Sequence, residues 1–106
     1  MEPAFHTVAR IGELADNSKK LVDAGGKAVP LCHSDGQYFA VENRCTHDNE
    51  TLQGGTVRKC TITCPFHGAR FRLKDGKSFG APAFEPIETY PLRIVGDEIQ
   101  VCPVPA

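Results

Sequence analysis

The chain has 106 residues and carries 12 Lys and Arg against 13 Asp and Glu, for a net charge of −1. That is the size of one ordinary domain, and so even a charge balance leaves no electrostatic footprint for nucleic acid or an anionic membrane surface. No apolar run approaches the ~20 residues that cross a bilayer, and the first six residues lack the basic start and apolar stretch of a secretory signal. The expected location is therefore a reducing cytoplasm. Five cysteines stand at 32, 45, 60, 64 and 102. An odd count in that setting argues against a disulfide framework and towards metal ligation plus buried thiols.

In chain order, short alternating segments broken by Gly, Asp and Pro predict strands over 5–9, 19–23, 27–33, 37–42, 57–63, 69–73, 88–94 and 98–102. A single helical turn is expected over 13–16, too short to contribute much energetically. Ser34-Asp35-Gly36 and Gly96-Asp97 read as hairpin turns, and Asp75-Gly76 as a further turn. Many short strands joined by turn signals indicate an all-β antiparallel sandwich or small barrel. The middle of the chain is richer in loops. The expected organisation is one domain over 1–106, with a loop-built subdomain over about 44–82 inserted into a β base formed by about 1–43 and 83–106.

Two motifs carry chemistry. Cys45-Thr46-His47 is Cys-x-His, Cys64-Pro65-Phe66-His67 is Cys-x-x-His, and 16 residues separate His47 from Cys64. Each places a thiolate and an imidazole close together on a tight turn, and two such turns facing each other could enclose a two-iron, two-sulfide cluster. Soft thiolates suit ferric iron, while neutral imidazoles suit the iron that accepts an electron. With two Cys and two neutral His the oxidised cluster has no net charge, which eases reduction relative to an all-Cys site. Zinc also takes two Cys and two His tetrahedrally, so structural zinc is the competing reading; a Cys-x-His pair followed by so long a gap is unusual for it.

The stretch Cys45-Thr46-His47-Asp48-Asn49, Leu52, Gly55 and Cys64-Pro65-Phe66-His67-Gly68 resembles the signature of Rieske ferredoxins. The similarity runs on through Phe71, Asp75-Gly76-Lys77, Ala81-Pro82 and Tyr90-Pro91-Leu92 to Gly96-Asp97-Glu98-Ile99, over roughly 36–102. It implies an antiparallel β base with a cluster-binding subdomain, and one 2Fe–2S cluster held by Cys45, His47, Cys64 and His67. It also implies a one-electron carrier, with no bond-making chemistry of its own, passing electrons from a flavin-containing ferredoxin reductase to the terminal Rieske oxygenase of an aromatic ring-hydroxylating system. The expected state is a monomer that forms transient complexes. The alternative from the same family is the small subunit of an assimilatory nitrite reductase. Respiratory and photosynthetic relatives bond an extra Cys in each ligand loop; here Glu50 and Phe66 stand at those positions. They also place a Ser and a Tyr past the second His, where this chain has Ala69 and Phe71, neither able to donate a hydrogen bond to the cluster. The resemblance thus implies a potential low in the Rieske range.

The remaining candidates have plainer readings. His6 and His33 are expected to be surface residues rather than ligands. Cys32, Cys60 and Cys102 are expected to be inert thiols, with Cys60 pointing inward because it alternates with Ile62 and Cys64. Gly80-Ala81-Pro82 is read as a rigid loop covering the cluster, and Phe66 as part of an apolar docking rim. The charges Arg44, Asp48, Glu50, Arg58, Lys59 and Arg70 assign no sign to a partner's surface.

Overall fold

A computed structural model describes residues 4–45, 52, 54–65, 68–80 and 85–104. Among the described residues ten strands, all paired antiparallel, form three sheets. They are β1 (His6–Arg10), β2 (Ser18–Ala24), β3 (Lys27–Ser34), β4 (Gln37–Val41), β5 (Thr56–Arg58), β6 (Thr61–Thr63), β7 (Arg70–Arg72), β8 (Thr89–Tyr90), β9 (Leu92–Val95) and β10 (Glu98–Val101). The sheet orders are β1-β10-β9, β2-β3-β4-β8 and β5-β6-β7. No helix among the described residues is long and apolar enough to cross a membrane. The all-β expectation holds.

Two apolar clusters organise the molecule. The first two sheets close on one, in which Val22, Val29, Leu31, Ala40, Tyr90, Ile99 and Val101 are buried. The small sheet β5-β6-β7 closes on the other, where Val57, Ile62 and Phe71 pack with Cys32, Val41, Cys45, Leu52, Cys64, Ala69, Leu73 and Ile87. In the small sheet, Val57 stands opposite Ile62 and Ile62 opposite Phe71, so one row of inward side chains crosses all three strands.

Three expectations change. The expected strand over 57–63 is two strands, because Lys59 and Cys60 turn the chain in the left-handed region at φ 51° and 56°. Asp35-Gly36 makes the same kind of two-residue turn with residues that favour it, whereas Lys-Cys carries no such signal. Cys60 is consequently half-buried on a turn rather than inward on a strand. The expected strand over 88–94 is broken at Pro91, which has no N–H to offer a ladder; β8 stays with β4, and β9 crosses to pair with β10. Residues 13–16 form turns and bends, not a helical turn.

The base and the small sheet are joined through Ser34, the buried polar side chain among the described residues. Its hydroxyl donates to Asn17 Oδ1 (2.9 Å) and accepts the Cys60 N–H (2.8 Å). Ser34→Ala strands that N–H and the amide oxygen together, and is expected to cost about 1–3 kcal/mol. The midpoint of urea denaturation measures this; a loss under about 0.5 kcal/mol, the range of ordinary surface changes, would mean the joint is not held here.

Gly76 makes a second tie. Its N–H donates to Arg72 O (2.7 Å) and its carbonyl accepts the Ile87 N–H (2.9 Å). At φ 75° any Cβ on this residue would lie 2.0 Å from Ile87 O, so only glycine lets the returning chain bring buried Ile87 against the small sheet.

Candidate metal centre

Cys45 and Cys64 reach the same place from different parts of the fold. Cys45 follows β4, and the segment before it is stapled down by Glu42. The Glu42 N–H donates to Glu88 O (2.9 Å), and its carboxylate accepts the Glu88 N–H (3.0 Å) and Arg44 Nε (2.8 Å). Asn43 Oδ1 then accepts the Leu52 N–H at 3.1 Å, tying Leu52 to the segment before Cys45. Nothing in the local sequence singled out Glu42 or Asn43, because the contacts that matter, to Glu88 and to Leu52, lie 46 and 9 residues away.

Cys64 ends β6. Its N–H donates to Ala69 O (2.7 Å) and its carbonyl accepts the Gly68 N–H (3.2 Å), so Cys64 is held against Gly68 and Ala69. Gly55 allows the 52–55 turn to lie against it, since a Cβ there would stand 2.5 Å from Thr63 O. Cys45 is 0% and Cys64 1% exposed, and neither forms a disulfide. Both face the apolar cluster with Ala69 and Phe71, whose side chains offer no hydrogen-bond donor.

Of the four expected ligands, the structure thus places the two cysteines, both buried, in one apolar cluster; His47 and His67 lie outside the described residues, as do Phe66, Ala81 and Pro82. Among the described residues no group of three His, Cys, Asp or Glu side chains converges. The described half of the donor set fits a soft-metal cluster. Two fully buried sulfurs, shielded from water among aliphatic and aromatic groups, are stable only with a proton or a metal to neutralise them.

The other cysteines have different surroundings. Burial pushes the Cys32 thiol up to about 12, against an opposing pull from Lys19, so it remains a protonated member of the apolar cluster. Cys60 is also raised, by desolvation and then by Asp35, and its Sγ lies 3.7 Å from both Ser34 O and Asp35 Oδ2. Neither environment favours a thiolate. Cys102 is buried.

The histidines outside the motifs are more than surface residues. His33 is half-buried, stacks on Tyr38 with ring centroids 4.1 Å apart, and donates from Nδ1 to Leu14 O at 2.8 Å, tying the 13–16 segment to β3. The ring of His6 lies over Gly25, where an added Cβ would stand 2.6 Å from its Nε2.

A family model for the Rieske [2Fe-2S] domain matches residues 4–91. The 3-phenylpropionate/cinnamic acid dioxygenase ferredoxin subunit of Photorhabdus laumondii is 35% identical over 95 residues, covering 89% of this chain and 90% of that protein. Among solved structures, the ferredoxin of carbazole 1,9a-dioxygenase from Nocardioides aromaticivorans IC177 superimposes with a TM-score of 0.87 at 26% identity, over 94% of this chain and 98% of that one. The Sphingomonas yanoikuyae B1 ferredoxin gives 0.84 at 27% identity, over 95% and 100%.

Proposed function

The chain belongs to the Rieske [2Fe-2S] domain family, and on that premise we propose that it is the ferredoxin component of an aromatic-ring dioxygenase system. It carries electrons and performs no bond-making chemistry alone. The observation that carries this reading is the pair Cys45 and Cys64, both buried in one apolar cluster with the inward side chains of the β5-β6-β7 sheet. Cys45, His47, Cys64 and His67 would hold one 2Fe–2S cluster, which supplies a single reversible one-electron step when bound.

The chain's own part is to fix and shelter the donors. Glu42 and Asn43 hold the approach to Cys45, and the Cys64–Ala69 and Gly68–Cys64 hydrogen bonds hold the second loop. Phe71, Ile62 and Leu73 exclude water from the sulfurs. The proposed cluster subdomain is about 44–82 on a base of about 1–43 and 83–106; the apolar cluster around Cys45 and Cys64 also draws Cys32, Val41 and Ile87 from that base. The partners are a flavin-containing reductase and a terminal oxygenase. A cytoplasmic location agrees with five cysteines of which none forms a disulfide. The matched relatives are named for different aromatic substrates, so the proposal is for the class of ring-hydroxylating partner.

The holoprotein is expected to take up one electron reversibly, with loss of visible absorbance and appearance of a paramagnetic resonance signal. Because the side chains of Ala69 and Phe71 offer no hydrogen-bond donor, the midpoint should fall below about 0 mV, low in a range of about −150 to +300 mV. Voltammetry reads it directly. A colourless zinc protein would overturn the function, and a midpoint well above 0 mV would overturn the hydrogen-bond argument.

A further inference from the structure

The small sheet has a second face. With Val57, Ile62 and Phe71 turned inward, the register puts two rows outward: Thr56, Thr63 and Arg70 in one, Arg58, Thr61 and Arg72 in the other. Arg58, Lys59, Thr61, Thr63 and Arg70 line an open groove of about 360 Å³ across this face. Arg72 is committed to Asp75, donating at 2.9 and 2.5 Å. Among the described residues Arg58, Lys59 and Arg70 form no ion pair. Beside the groove Phe79 is 50% exposed, with the Arg70 guanidinium 5.7 Å from its ring centre.

The charge here departs from that of the whole chain. Residues 51–74 contain five Lys and Arg and no Asp or Glu, although the net charge overall is −1. A sheet face with three cations that form no ion pair among the described residues, hydroxyls between them and an exposed aromatic at its edge has the composition of a protein-docking centre, where Arg and aromatic side chains carry most of the binding energy. The groove is open and extended rather than enclosed, which suits a surface of several carboxylates better than one small anion. The inner side of the same sheet packs against Cys45 and Cys64. A protein seated on the outer side is therefore separated from the donor cysteines by a single sheet.

We propose that the outer face of the β5-β6-β7 sheet, through Arg58, Lys59, Arg70 and Phe79, is a docking surface for a carboxylate-rich face of a redox partner protein. This rests on the electron-carrier reading and adds to it the place and the charge of one encounter. The opposite sign on the partner would speed association at low salt and lose that advantage as salt rises.

The test uses the holoprotein and a fluorescent ten-residue polyglutamate peptide, with binding followed by anisotropy at 0.05 and 0.3 M salt. The double variant R58E/R70E is expected to weaken binding about tenfold or more at the lower salt. K20E/R93E makes the same charge change on β2 and β9 of the base, and should alter binding less than about twofold. R58Q/R70Q repeats the measurement if the charge reversal impairs folding, and both must keep the visible spectrum of the parent. Unchanged binding by R58E/R70E, or equal loss in both double variants, would overturn the proposal. So would a ten-residue oligothymidylate that binds this face at 0.15 M salt where the peptide does not, which would make the occupant a nucleic acid. A salt-sensitive dimer of the parent chain that R58E/R70E disperses would also overturn it, by making a second copy the occupant. A parent protein lacking reversible one-electron reduction would sink the carrier reading instead, and leaves the peptide result to be judged separately.

Discussion

Cys64→Ser is expected to fold and yet hold almost no iron. A serine hydroxyl is nearly the shape of the thiol it replaces, and the hydrogen bonds that close the loop at Cys64 run from its backbone to Ala69 and Gly68. The loop should therefore survive. Lost is one of two soft donors in a site where the side chain is 1% exposed and water cannot substitute for it. A hydroxyl does not ionise under conditions in which a metal-bound thiol does. Iron bound per chain should drop by more than about tenfold, since even losing a partner of a ligand commonly costs 10–100-fold in metal affinity. The control is Cys32→Ala. Cys32 lies in the same apolar cluster, but its thiol stays protonated up to about 12, so iron content should be unchanged. Full iron loading and an unaltered visible spectrum in Cys64→Ser would remove that residue from the donor set.

Phe71→Ala is expected to have the largest effect on stability. Phe71 is the largest fully buried side chain among the described residues, ends the inward row on β7 opposite Ile62, and belongs to the same apolar cluster as the two cysteines. Truncating a buried phenylalanine costs about 3–5 kcal/mol through lost transfer energy and the cavity left behind. That is a large part of the roughly 5–15 kcal/mol that holds a domain of this size together. The cavity also opens within the apolar cluster that holds Cys45 and Cys64, so the variant should lose its cluster sooner on dilution into chelator. Phe79→Ala is the contrast: half of that side chain is exposed, and its removal should change stability by no more than about 0.5 kcal/mol. Guanidinium midpoints followed by far-ultraviolet circular dichroism compare the two. Equal midpoints would mean that Phe71 does not organise the small sheet.

The reading of the strands succeeded where the signal is local. Asp35-Gly36 and Gly96-Asp97 turn the chain where their backbone preferences predict, and the flanking alternation sets which side chains face inward. It failed at Lys59-Cys60, which turns with two residues that disfavour the left-handed region. The Cys60 N–H is held there by Ser34, 26 residues away, which no window around position 60 contains. The run through Pro91 also read as one strand, because both halves alternate; only pairing of β8 with β4 and of β9 with β10 makes them two.

The sequence by itself determined the all-β class and supplied the proposed donor types with their spacing around Cys45 and Cys64, because thiol, imidazole and turn chemistry belong to residues a few positions apart. The tertiary structure alone decided which sheet each strand joined, that Glu42 staples the approach to Cys45, and that Arg58, Lys59 and Arg70 share one outward face. Those outcomes depend on contacts between distant segments, whose energies are settled only when the two apolar clusters close and every buried N–H must find an acceptor.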